Sequence, residues 1–159
     1  MKRLLCFLLV CLITLTMPVF ALEGFQYENE RMGIALTIPG LTAHEIAMEE
    51  SENSVRFYHT PSREPWGGLI GTITVLTPRS LVTAPEYSRG DYCILAMGKD
   101  CAVLWQNAPG GANSGGAALE SYKKASALLS FDQLQKSLTI TDQEAIPELH
   151  SNFLYLAAE

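Results

Sequence analysis

Positive charge is scarce in this 159-residue sequence, with 11 Lys and Arg against 17 Asp and Glu and a net charge of −6. After Lys2-Arg3 the basic residues never form a patch. Phosphate backbones and anionic lipid surfaces are held by clustered cations, so neither is an expected partner. Cysteine is scarce as well. Of the four, Cys6 and Cys11 fall in the first 21 residues, leaving Cys93 and Cys101. The chain also lacks a βαβα alternation, which argues against a parallel doubly wound sheet, and it lacks any repeat at a solenoid period.

The N-terminus supplies what the rest does not. Lys2 and Arg3 precede an apolar run from Leu4 to about Thr16, and Val19-Phe20-Ala21 follows Pro18. This order of cations, apolar run and small residue predicts a secretory signal peptide over 1–21, cleaved after Ala21. The rival is a retained anchor, which needs about 20 apolar residues and reaches that only across Pro18. Lipidation is not expected, because Cys11 follows Val10 inside the apolar run. Cleavage would leave 138 residues with 9 basic and 17 acidic side chains, a net of −8. That length suits one domain with a single core. The expected location is secreted or extracytoplasmic.

Residues 22–30 read as a polar lead-in and 31–140 as the domain. Ile34, Leu36 and Ile38 alternate up to Pro39-Gly40, a strand. His44, Ile46 and Met48 at period two predict a second strand within 41–50, with a short helix as rival. Val55, Phe57 and His59 give a third, and Leu69–Leu76, rich in branched residues, a fourth. Residues 91–97 and 101–106 flank Gly98-Lys99-Asp100 as an antiparallel hairpin. Asn107–Gly116 carries too many glycines for a regular element and reads as a loop. One uninterrupted helix is expected over Ala117–Leu138, its apolar positions spaced for packing. The tail, 141–159, suits a short helix or a strand. The predicted fold class is α+β: an antiparallel sheet of five to six strands with a long C-terminal helix on one face.

Each chemical motif is one element short. His44-Glu45 opens like H-E-x-x-H, but Met48 stands where the second imidazole would be, so no zinc site is expected. Ser114 sits one residue too late for a nucleophile elbow, and no Lys-Ser/Thr follows the Gly-rich run to make a phosphate loop. Arg89-Gly90-Asp91 is ordinary turn chemistry, and Glu49, Glu50 and Glu52 lack calcium-loop spacing. In a hairpin with a three-residue turn Cys93 faces Trp105, placing the two sulfurs about 13 Å apart at ~3.3 Å per residue. A bridge needs Cα atoms within roughly 7 Å, so two buried or half-buried thiols are expected instead of a disulfide. Among the aromatics, Tyr58, Trp66 and Trp105 are the candidates for a ligand or partner surface. No cofactor is expected.

The motifs together resemble a small secreted domain of Firmicutes. Met32-Gly33-Ile34-Ala35-Leu36-Thr37-Ile38-Pro39 is similar to its "G-F-x-F-x-x-P" opening, and Ser54–His59 to its "V-x-F-Y-H" strand. Tyr92–Gly98 resembles its "Y-x-V-L-A-x-G/D" hairpin, and the helix bearing Tyr122 and ending in Leu134–Leu138 its C-terminal helix. Such domains also occur appended to membrane metallopeptidases of the beta-lactam-sensor kind, and are loosely similar to PsbP/Mog1-type α+β sandwiches. The resemblance covers 31–140 and departs at the Gly-rich 110–116 segment. It implies no established activity and carries over no catalytic residue. The expected function is a non-enzymatic envelope or extracellular module that binds an unidentified partner. The alternative is a secreted hydrolase-like enzyme assembled from residues distant in sequence, such as His59 with Glu or Ser.

Overall fold

In a computed structural model the chain is described over residues 24–83, 92–108 and 117–141, apart from the side chains of Pro65, Trp66 and Ala117. The expected signal peptide, the 110–116 loop, Arg89-Gly90-Asp91, His150, most of the tail and the Trp66 side chain lie outside the described residues. The fold is α+β, with eight strands in two antiparallel sheets among the described residues. The first sheet has the order β1 (Gly24–Asn29), β2 (Ile34–Pro39) and β8 (Leu138–Ile140). The second has the order β3 (Ile46–Glu50), β4 (Ser54–His59), β5 (Leu69–Leu76), β7 (Ala102–Asn107) and β6 (Cys93–Met97). Helices are short: α1 (Arg63–Trp66), α2 (Pro78–Thr83), α3 (Ala117–Leu128) and α4 (Phe131–Ser137).

Alternation decides which face each strand buries. Phe25 and Tyr27 on β1, Ile34, Leu36 and Ile38 on β2, and Val55 and Phe57 on β4 all enter one core. The sheets meet through aromatic edges. The Phe57 ring receives Phe25 at 6.3 Å and Tyr27 at 6.0 Å, both at 82°. Trp105 lies behind it at 6.4 Å. Such edge-to-face pairs add about 0.5–1.5 kcal/mol beyond their burial. Leu129, just past the end of α3, and Leu134, in the middle of α4, are wholly buried in the same core.

Five expectations are corrected. The one sheet of five to six strands is two sheets, of three and five strands, because among the described residues β1, β2 and β8 pair only with one another. The supposed lead-in forms β1, because Phe25 and Tyr27 alternate with polar neighbours and pair with Ile38 and Leu36. The strand expected from residue 41 begins only at Ile46. Residues 42–45 form a turn in which the Glu45 amide donates to the Thr42 carbonyl at 3.1 Å, leaving His44 exposed.

The single long helix is two. Ser130 is extended (φ −72°, ψ 157°), and both Gln133 and Leu134 amides donate to its carbonyl. Leu129 and Leu134 are five residues apart and would sit on nearly opposite sides of a continuous helix. Breaking at Ser130 buries both. The run then leaves the helical state at Leu138 (ψ 134°) to become β8.

The hairpin's turn is also tighter than expected. Met97 faces Ala102, and the Gly98 amide donates to the Cys101 carbonyl at 2.8 Å. A bulge between Ile94 and Ala96 then restores the Cys93–Trp105 pairing. No disulfide joins Cys93 and Cys101. Cys101 is buried, whereas Cys93 is exposed because it starts the edge strand β6.

Candidate functional site

Two places gather chemistry-bearing side chains, at opposite ends of β4. The first is internal. β4 ends at His59, whose side chain points into the core opposite Ile46 and is 0 % exposed. The chain then folds at once into a 3-10 turn, Thr60–Ser62, with Pro61 suited to its first positions. That turn brings Ser62 Oγ to 2.7 Å from His59 Nδ1, and Ser62 is likewise wholly buried. Tyr122 from α3 meets the imidazole at 5.9 Å and 82°, and its hydroxyl donates to the Leu69 carbonyl at 2.8 Å. The backbone closes the knot. The His59 amide donates to the Gly68 carbonyl at 2.8 Å, and the Thr60 amide to the Glu45 carbonyl at 2.9 Å.

Gly68 is required here. Its φ is +57°, and a Cβ would stand 2.8 Å from the His59 carbonyl oxygen.

Burial pushes the His59 imidazole below its ordinary value, and the Glu45 carboxylate opposes that only in part. Glu45 does not touch the ring by hydrogen bond. Its carboxylate accepts from the Thr42 amide at 3.0 Å and the Thr42 hydroxyl at 2.9 Å, which hold it below the usual carboxylate value. Burial raises the Tyr122 phenol. Among the described residues, His59 Nε2 is a buried side-chain atom with no hydrogen-bond partner. A base and a hydroxyl therefore stand at catalytic distance, closed off from solvent and without a carboxylate on the second nitrogen.

The second place is open. Five chain reversals or strand ends converge on a groove of about 280 Å³. Val75, Leu76, Ile140 and Cys101 contribute apolar lining, and Arg31, Glu52 and Asp100 charged lining. Hydrogen bonds between separate elements fix its shape. The Val75 amide donates to the Asn53 carbonyl at 2.8 Å, and the Thr141 amide to Gly33 at 2.9 Å. The Arg31 guanidinium donates to the Ser51 carbonyl.

The aromatic candidates are not brought together as one surface. Trp105 is 0 % exposed, its indole N–H donating to Asn107 Oδ1 at 2.9 Å, so it is a core residue and presents no surface. Tyr58 is half-buried on the outward face of β4. Its hydroxyl donates to Glu49 Oε2 at 2.8 Å, and the Arg63 guanidinium, paired with the same carboxylate, lies 5.0 Å from the ring centre. Burial and that hydrogen bond raise the Tyr58 phenol.

The three glutamates at 49, 50 and 52, at the end of β3 and in the turn after it, serve different ends. Glu49 holds Tyr58 and Arg63. Glu50 accepts from Tyr27 at 2.9 Å across the two sheets, and Glu52 lines the groove. Burial first, with Glu50 adding to it, pushes the Tyr27 phenol up to about 12.

Sequence reasoning named His59 with a Ser or Glu as an enzyme's constellation without singling out Ser62. The signal was present as His59-x-x-Ser62 around Pro61, a spacing that one turn closes. The groove had no such signal, since its walls come from five separate segments. Comparison with known protein families, with curated proteins and with solved structures finds no match for the chain.

Proposed function

We propose that the chain is an exported, non-enzymatic module of the cell envelope or exterior that binds a partner at the groove between its turns. One observation carries the reading. The described histidine–hydroxyl pair that a hydrolase would use is sealed in the core at 0 % exposure, whereas the open concavity is lined by Arg31, Glu52 and Asp100 together with Val75, Leu76 and Ile140. Concave apolar floors with a few placed polar groups are how folds hold ligands. The N-terminal pattern, the acidic balance and the resemblance to the small secreted Firmicutes domain point the same way.

The rival reading, a hydrolase-like enzyme, has one observation in its favour, the 2.7 Å contact between His59 and Ser62. A nucleophile must be reached by its substrate, and this one is not.

Two measurements separate the readings. A photo-crosslinking side chain at Glu52 should give an adduct of defined mass on the exported protein that the same group at Thr139, on the outward face of β8, does not give. Equal adducts, or none, overturn the groove as the binding site. A fluorophosphonate serine probe should leave Ser62 unlabelled, and stoichiometric labelling there would establish the enzyme instead. N-terminal sequencing of the exported form should begin at Leu22.

A further inference from the structure

We infer that His59 is a pH-sensitive latch, which in mild acid releases α3 and the Thr60–Gly68 connection from the second sheet. The inference stands on packing. His59 is the point at which three elements are fastened, with Ser62 on Nδ1, the Tyr122 ring against its plane, and its own amide on Gly68. The other nitrogen, Nε2, is buried and has no hydrogen-bond partner among the described residues. A neutral imidazole tolerates this arrangement by carrying its proton on whichever nitrogen suits Ser62. An imidazolium must carry protons on both. One of them would then sit at Nε2 with neither water nor acceptor, a buried charge that the fold does not solvate.

The surrounding groups do not relieve it. On the 42–45 turn, the Glu45 carboxylate exerts the one attractive field, but it is committed to Thr42 and has Lys124 of α3 at 4.0 Å. Tyr122 on α3 is neutral and spends its hydroxyl on Leu69. Ser62 offers an acceptor to Nδ1 alone. Water reaches Nε2 only if the 3-10 turn or α3 moves away.

The direction follows from linkage. In the closed form burial holds the imidazole below 6.5, and in an opened form it returns to about 6.5. Between those values the opened form binds one more proton. The latch is therefore at full strength above about pH 6.5 and weakens as pH falls toward the closed-form value, by up to about tenfold in the opening equilibrium per pH unit.

The chain has three histidines, so His44→Gln with His150→Gln leaves His59 as the sole imidazole. In that full-length protein, ring-nitrogen NMR from pH 8 to 5 should show His59 still neutral where an exposed histidine is half protonated. Hydrogen exchange, corrected for intrinsic rates, should show acid-dependent loss of protection in 60–68 and 117–128 while β1 and β2 stay protected. The paired variant His59→Phe with Ser62→Ala should abolish that acid dependence. If it does not fold, the sole-histidine measurements decide alone. Titration of His59 near 6.5 with unchanged protection overturns the latch. So does loss of protection spread evenly over both sheets, which would mean global unfolding.

Discussion

Gly71 sits where the second sheet passes under Trp105. A Cβ at residue 71 would stand 2.3 Å from two carbons of the indole and 2.7 Å from the Gln106 carbonyl oxygen, so moving the ring alone does not clear it. Gly71→Ala should therefore cost about 1–3 kcal/mol by overpacking, read as a lower urea midpoint with unchanged slope. Trp105→Leu makes room, so the double variant should lose less than the sum of the two singles. Ser62 can be treated the same way. Ser62→Ala strands His59 Nδ1 in the core and should cost about 1–3 kcal/mol, although only one hydroxyl is removed. The branched run Leu69–Leu76 announces a strand, but nothing in it says that its glycine is there for a tryptophan 34 residues on. Long-range steric need leaves no local mark.

At the scale of elements, legibility followed the strength of the local pattern. β2, β4 and β5 stand where alternation and turn residues place them, and the β6–β7 hairpin was legible as a hairpin but not in its turn or its bulge. β1 offers only Phe25 and Tyr27 against a polar background, and its partner strand supplies the rest of the reason to form. The break between α3 and α4 had a sign in Ser130-Phe131-Asp132-Gln133, which has the spacing of a helix N-terminus with an acid in the first turn. The uninterrupted apolar spacing on either side masks it. The groove was illegible for a different reason: it belongs to no element.

The hairpin makes a prediction of its own. A thiol reagent added to the native protein should modify Cys93 well before Cys101, since one lies exposed at the sheet edge and the other is buried at the turn beside the groove. Two thiols reacting at equal rates would contradict the bulged register.

Across the whole molecule, the two sheets depend on each other through one aromatic core, so unfolding should be a single cooperative transition. Most pairings are antiparallel neighbours, yet the first sheet is closed by residues from the far end of the domain. Leu138 faces Leu36 and Ile140 faces Ile34. Contacts of that span make loop closure costly before it is rewarded, and refolding of the domain should fall in the millisecond-to-second range, measured by stopped-flow fluorescence of its tryptophans.

That pairing also sets an order of events. β2 emerges early from any ribosome or export channel, but it cannot finish its sheet until residue 140 has followed, some hundred residues later. The chain is thus kept from closing its core while it is still emerging, and the order of folding is written into where β8 falls in the sequence. Moving those three residues forward in the chain would shorten the loop that their pairing closes and speed folding.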